Sequence, residues 1–81
     1  MNKIMIGKWD DLEYIIEIVR KEGTIVYCKV LKEIGMKRGW DDTEFVYWLD
    51  LNQKNRSLRN PTEKELELAK TILREEVEKA I

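Results

Sequence analysis

Apolar residues in the first third of the chain fall at Leu12, Ile15, Ile16 and Val19. That is the i, i+3, i+4, i+7 spacing of one helix face. The pattern predicts a helix over residues 10–22, closed by a basic last turn at Arg20-Lys21 and by Gly23 at the C′ position. A second helix is expected over residues 25–34, capped by Thr24, with a stripe of Tyr27, Val30, Leu31 and Ile34. Ile25, Val26 and Cys28 widen that stripe, so the element should be buried on more than one side. The run TIVYCKV is rich in β-branched residues and also suits a strand. LKEIG extends the helical period up to Gly35, and the helix is therefore preferred.

Residues 36–40, MKRGW, read as a loop. A third helix is expected over residues 42–52, with Phe45, Trp48 and Leu49 inward and Val46 beside them. QKNRSLRN follows as a polar, basic connection without periodicity. The clearest pattern spans residues 61–80, where Asn60 precedes Pro61 as an N-cap candidate before a proline at N1. Its stripe is Leu66, Ala69, Leu73, Val77 and Ala80, with Ile72 alongside. A short strand at Lys3–Ile6 is allowed, but no segment stands out as its partner. The expected architecture is all-α: one small four-helix domain spanning residues 1–81, a tri-helical core plus a long C-terminal helix.

Two six-residue strings nearly repeat, WDDLEY from Trp9 and WDDTEF from Trp40. With Asp10 or Asp41 as N-cap, Glu13 or Glu44 stands at N3, giving a variant capping box. Trp9–Tyr14 and Trp40–Phe45 then stand at N′ and N4 as hydrophobic staples, and Asp11 and Asp42 sit where negative charge favours the helix dipole. Thr62 and Glu65 have the same spacing. Similarity between the copies fades within two turns, so the repeat reads as one capping solution used twice rather than as duplicated chemistry.

Composition limits the chemistry. Eighty-one residues bury only roughly 60–65% of their unfolded surface, so pairing with a second copy would add stability. The formal net charge of −1 provides no global attraction to polyanions. There is no histidine and one cysteine, Cys28, which removes the commonest general base and any zinc site. Cys28 lies among apolar residues and reads as a structural thiol. The four glycines form no phosphate-binding fingerprint. No apolar run reaches 18 residues. The expectation is a cytoplasmic protein in a reducing compartment, without enzymatic activity, cofactor, metal, membrane contact or small-molecule substrate. Abundant Lys, Glu and Ile with a single Gln lean toward a thermophilic source.

The stretch IIEIVRKEGTIVYCKVLKEIGMKR resembles the opening of winged-helix and helix-turn-helix DNA-binding domains. The matching pieces are Ile15–Arg20, Gly23, Leu31, Ile34 and Gly35, over about 40 residues. The resemblance implies a helix-turn-helix-like core in which residues 43–52 enter the major groove. Two features depart from that pattern. The turn after Gly35 is long, and the implied recognition helix opens with Asp41, Asp42 and Glu44. Carboxylates at that position are repelled by phosphate. Cations lie elsewhere. Residues 20–39 carry six basic and two acidic side chains, and residues 53–60 carry three basic and no acidic ones. Lys29, Lys32, Lys37, Arg38, Lys54, Arg56 and Arg59 are the candidate contacts to the phosphate backbone of double-stranded DNA. Seven aromatic residues are many for so small a core and point equally to a protein interface. Leu66, Ala69, Leu73, Val77 and Ala80 are the candidate homodimer interface. The functional expectation is a homodimeric, non-enzymatic helical binding protein that acts as a DNA-associated regulator. The alternative is a protein-interaction or assembly module that does not bind nucleic acid.

Overall fold

The computed structural model describes residues 3–35 and 44–80, with side chains as far as residue 75. Among the described residues the chain forms five strands and one helix: β1 (Ile4–Trp9), β2 (Leu12–Glu22), β3 (Ile25–Glu33), β4 (Val46–Asp50), β5 (Arg56–Arg59) and α1 (Glu63–Ala80). The strands make one antiparallel sheet in the order β4-β3-β2-β1-β5. The first four follow as a meander, and β5 returns to pair with β1, setting Ile6 opposite Arg59.

This corrects the all-α, four-helix expectation and the helix-turn-helix resemblance. The helices expected at 10–22 and 25–34 are instead β2 and β3, and the latter takes the strand conformation that TIVYCKV allowed. The described part of the expected recognition helix holds β4 and a turn. The strand allowed at the N-terminus exists as β1, with β2 and β5 as its partners.

The helical spacing in β2 was deceptive because the middle of β2 is covered on both faces, while Leu12 and Val19 of the supposed stripe are exposed. Ile15 and Ile16, adjacent in sequence, are both fully buried, one on each side of the sheet. A strand buried on both faces has no polar alternation to show its period of two. Pairing with β3 also shifts register between Ile15 and Ile16 and between Ile18 and Arg20. Each such bulge breaks the alternation again.

The expected helix start at WDDLEY is a hairpin turn. Trp9 pairs with Leu12, leaving Asp10-Asp11 as a two-residue loop with Asp10 at a φ of 56°. The expected helix stop at Gly23 is the next hairpin, where Glu22 pairs with Ile25 and Gly23 has a φ of 60°. A positive φ at the first loop position suits the right-handed twist of the flanking strands. Trp9 and Tyr14 do touch, with ring centroids 5.5 Å apart at 78°. They meet as diagonal neighbours across the β1–β2 ladder rather than as a helix staple. The second repeat copy, Trp40 to Asp42 with the start of its cap, lies outside the described residues.

The expected C-terminal helix is present as α1. Its N-cap is Thr62 rather than Asn60. Thr62 Oγ1 accepts from Glu65 N–H at 3.2 Å, Glu65 Oε1 accepts from Thr62 N–H at 2.9 Å, and Leu66 N–H donates to Thr62 C=O at 2.9 Å. That is a complete capping box.

Two apolar clusters hold the fold. On one face of the sheet Ile4, Ile6, Ile15 and Leu31 pack with Ala69, and Leu66, Ile72, Leu73 and Ile34 close around them. On the other face Ile16, Cys28 and Val30 pack with Met5, Trp9, Tyr14, Ile18, Tyr47 and Leu58. Among the described residues no helix covers the second cluster. The sheet curls instead, and the edge strands β4 and β5 approach at the turn that joins them.

Candidate functional site

The curl leaves a seam along β4. Leu51 N–H donates to Thr24 C=O at 2.9 Å, which makes Thr24 and Leu51 a hydrogen-bonded pair of the β3–β4 ladder. Such pairs alternate along an antiparallel ladder. The main-chain groups of Tyr47 and Leu49 therefore face β3, and those of Val46, Trp48 and Asp50 face outward. Trp48 C=O accepts from Trp9 Nε1 at 3.2 Å, as this polarity requires. Asp50 C=O accepts from Gln53 N–H at 3.0 Å.

Trp9 spans the seam because of what lies beneath it. A Cβ on Gly7 would stand 3.0 Å from Trp9 Cζ3 and 3.1 Å from Ile16 Cδ1. Glycine at this position provides the recess that receives the indole, and Tyr14 closes its edge. Beside Trp9 is a cleft of about 390 Å³ lined by Trp9, Tyr47, Trp48, Asp50, Gln53 and Arg56. A smaller hollow of about 180 Å³ shares Trp9 and Tyr47 and is floored by Val30 and Tyr14. Burial, then Glu33 and Tyr47, raise the Tyr14 phenol above its ordinary value and keep it neutral.

The residues along this edge are unusually apolar for a surface. Phe45 is 54% exposed, Val46 40% and Trp48 63%. Phe45 stacks at a tilt on Tyr47, with centroids 5.0 Å apart. From Phe45 to Leu49 the chain reads FVYWL, without a charge.

The described candidate cations lie on separate strands. Lys29 and Lys32 are on β3, whereas Arg56 and Arg59 are on β5, and β1 and β2 lie between them in the sheet. Lys29 stands between Glu17 on β2 and Val46 on β4. Lys32 Nζ donates to Glu33 C=O at 3.1 Å. Arg56 Nη1 lies 2.8 Å from Asp10 Oδ1 and also reaches Lys54 C=O at 3.5 Å. Lys54 itself is exposed in the β4–β5 turn. Arg59 makes a two-pronged contact with Glu65, at 2.8 and 2.9 Å, and reaches Glu13 at 2.9 Å. Its hydrogen bonds to Glu65 and then Glu13 lift the guanidinium above its ordinary value. The same bond from Arg59, with help from Thr62 N–H and against the effect of burial, holds the Glu65 carboxyl down at about 2. Lys37 and Arg38 lie outside the described residues.

The expected dimer stripe on α1 is occupied within the chain. Ala69 is fully buried, and Leu66 and Leu73 pack on the sheet. The side chains of Val77 and Ala80 lie outside the described set. Cys28 is buried, and burial pushes its thiol up to about 12, far from a nucleophile's range. Among the described residues no group of three or more potential metal ligands gathers, and no helix is long and apolar enough to cross a membrane.

No family model, curated protein or solved structure matches the chain. The β4 edge is thus identified by its own geometry. The sequence did hold a signal for it: five consecutive aromatic, β-branched or aliphatic residues without Gly, Pro or charge mark a strand. The helix-cap reading of WDDTEF obscured that signal.

Proposed function

We propose that this chain is a non-enzymatic protein-interaction module whose contact surface is the β4 edge with its seam. One observation carries the reading: an edge strand with outward main-chain groups is flanked by exposed Phe45, Val46 and Trp48. Unprotected apolar edges are templates for strand addition, and natural sheets normally blunt them with charge, proline or cover. Here the described strand is uncharged until Asp50. The DNA-associated reading draws less support, because Arg56 and Arg59 are already matched by Asp10, Glu13 and Glu65. Freeing them for phosphate would mean breaking those pairs.

The test is selection of random peptides displayed on phage against the wild-type protein, followed by counter-screening on Val46→Lys and Trp48→Ala. Peptides that require both residues support the reading. A parallel titration with duplex DNA at two salt concentrations provides the opposing outcome. Tight binding with a log–log salt slope of about −4, reduced in Lys54→Ala and Arg56→Ala, would replace the module by a phosphate-gripping protein.

A further inference from the structure

We infer that Trp9 is a clasp on the β4–β5 seam: its indole N–H ties β4 to the β1 end of the curl and so keeps the apolar cluster inside the curl closed. The clasp does not depend on which partner the β4 edge takes.

The curl closes without a ladder. β4 and β5 are the two ends of the strand order, and among the described residues no main-chain pairing joins them. They meet at the turn between them, which is fastened on both sides. Leu51 N–H donates to Thr24 C=O at 2.9 Å, and Asp10 N–H donates to Asn55 C=O at 2.9 Å. Beyond the turn the gap is crossed by a side chain. Trp9 stands at the end of β1, where it pairs with Arg56 of β5, and its Nε1 donates to Trp48 C=O of β4 at 3.2 Å.

Two features make this link one that can open. The bond is exposed and at the long end of the N–H···O range, so water competes for both of its groups. The other contacts of the indole do not use its N–H. They are the recess over Gly7 and the edge-on ring of Tyr14, with centroids 5.5 Å apart. Seating the ring and fastening β4 are therefore separable.

Trp9 is also the wall that the two hollows share. It lines the cleft of about 390 Å³ with Trp48 and Arg56, and the hollow of about 180 Å³ with Tyr14 and Val30. Cys28 and Ile16 are fully buried in the same cluster as Val30. β4 contributes Tyr47 to that cluster and β5 contributes Leu58, so parting the seam uncovers it from both sides.

Cys28 reports the parted state. Trp9→Phe keeps an aromatic ring over Gly7 and removes the donor. Without urea at pH 8, a disulfide reagent should label Cys28 about fivefold faster in Trp9→Phe than in wild type. The variant's rate should stay flat at low urea, as local opening does. Trp48→Ala keeps the carbonyl that accepts the bond and should label at the wild-type rate, once both rates are corrected for the measured unfolding midpoints.

A Trp9→Phe rate that climbs with urea from the start, in step with loss of circular dichroism, overturns the clasp, because the seam then parts only when the sheet does. Equal acceleration in Trp48→Ala and Trp9→Phe also overturns it and assigns the effect to lost packing. If Trp9→Phe does not fold, Gly7→Ala, which lifts the indole from its recess, takes its place and is judged by the same outcomes.

Discussion

Gly7 shows how one missing methyl can position the side chain that spans the seam. The indole of Trp9 lies in the space a Cβ would fill, 3.0 Å from where that atom would stand. Gly7→Ala must push Trp9 or Ile16 aside, and overpacking of this kind costs about 1–3 kcal/mol. Urea unfolding monitored by Trp fluorescence should register that loss, together with a shift in emission as the indole moves. Arg59 and Glu65 provide the pH dependence at this scale. Glu65 is held at about 2 in the folded chain, against an ordinary value of 4.5. A depressed carboxyl stabilises the fold above its unfolded pKa, and that contribution fades as pH falls through the folded one. Stability should therefore drop between about pH 4.5 and pH 2, and Glu65→Gln should flatten that segment of the curve. A midpoint that moves equally in wild type and Glu65→Gln across this window would show that Glu65 is not responsible.

Among the elements, α1 was legible in the sequence and the sheet was not. Leu66, Ala69, Leu73 and the Thr62–Glu65 box carry a helix signal that nothing else imitates, because one face of α1 is wet and one is dry. Thr62→Ala removes the acceptor for Glu65 N–H and should cost about 1 kcal/mol, visible as a lower urea midpoint with unchanged slope. The strands hid for separate physical reasons. Double burial erased the alternation of β2, and bulges shifted its register against β3. Asp-Asp with a glutamate three residues on serves a helix start as well as a hairpin loop, and only the β1–β2 pairing decides between them. The site was half legible. The helical frame placed the candidate interface on α1, whereas the exposed Phe45, Val46 and Trp48 lie at β4. Among the candidate cations, sequence could not reveal that Arg56 and Arg59 would meet acids from Asp10, Glu13 and Glu65 across the fold.

In the molecule as a whole, the two apolar clusters lie back to back across one sheet and share its strands. Neither can open far without disturbing the other, so the fold should unfold as a unit. Cys28 reports on this directly. It is fully buried in the cluster opposite α1, and its thiol is pushed up to about 12. Labelling by a disulfide reagent at pH 8 should be slow in the native protein and proceed at the rate of global opening, accelerating with urea in step with loss of circular dichroism. Fast labelling without urea would show that the seam opens independently.

The return of β5 to β1 also sets an order of events in time. The meander β1–β4 can pair as it leaves the ribosome, each hairpin needing only its own neighbours. β1 cannot acquire its second partner until Arg56–Arg59 has been made, since Ile6 waits for Arg59. α1, which covers Ile4 and Ile6, comes later still. Until then β1 has one edge and one face open to water. Such long-range closure is slow compared with local pairing. The N-terminal strand is the segment that chaperones and aggregation would compete for, and a chain stopped before residue 56 should be captured by a holdase while the full chain is released.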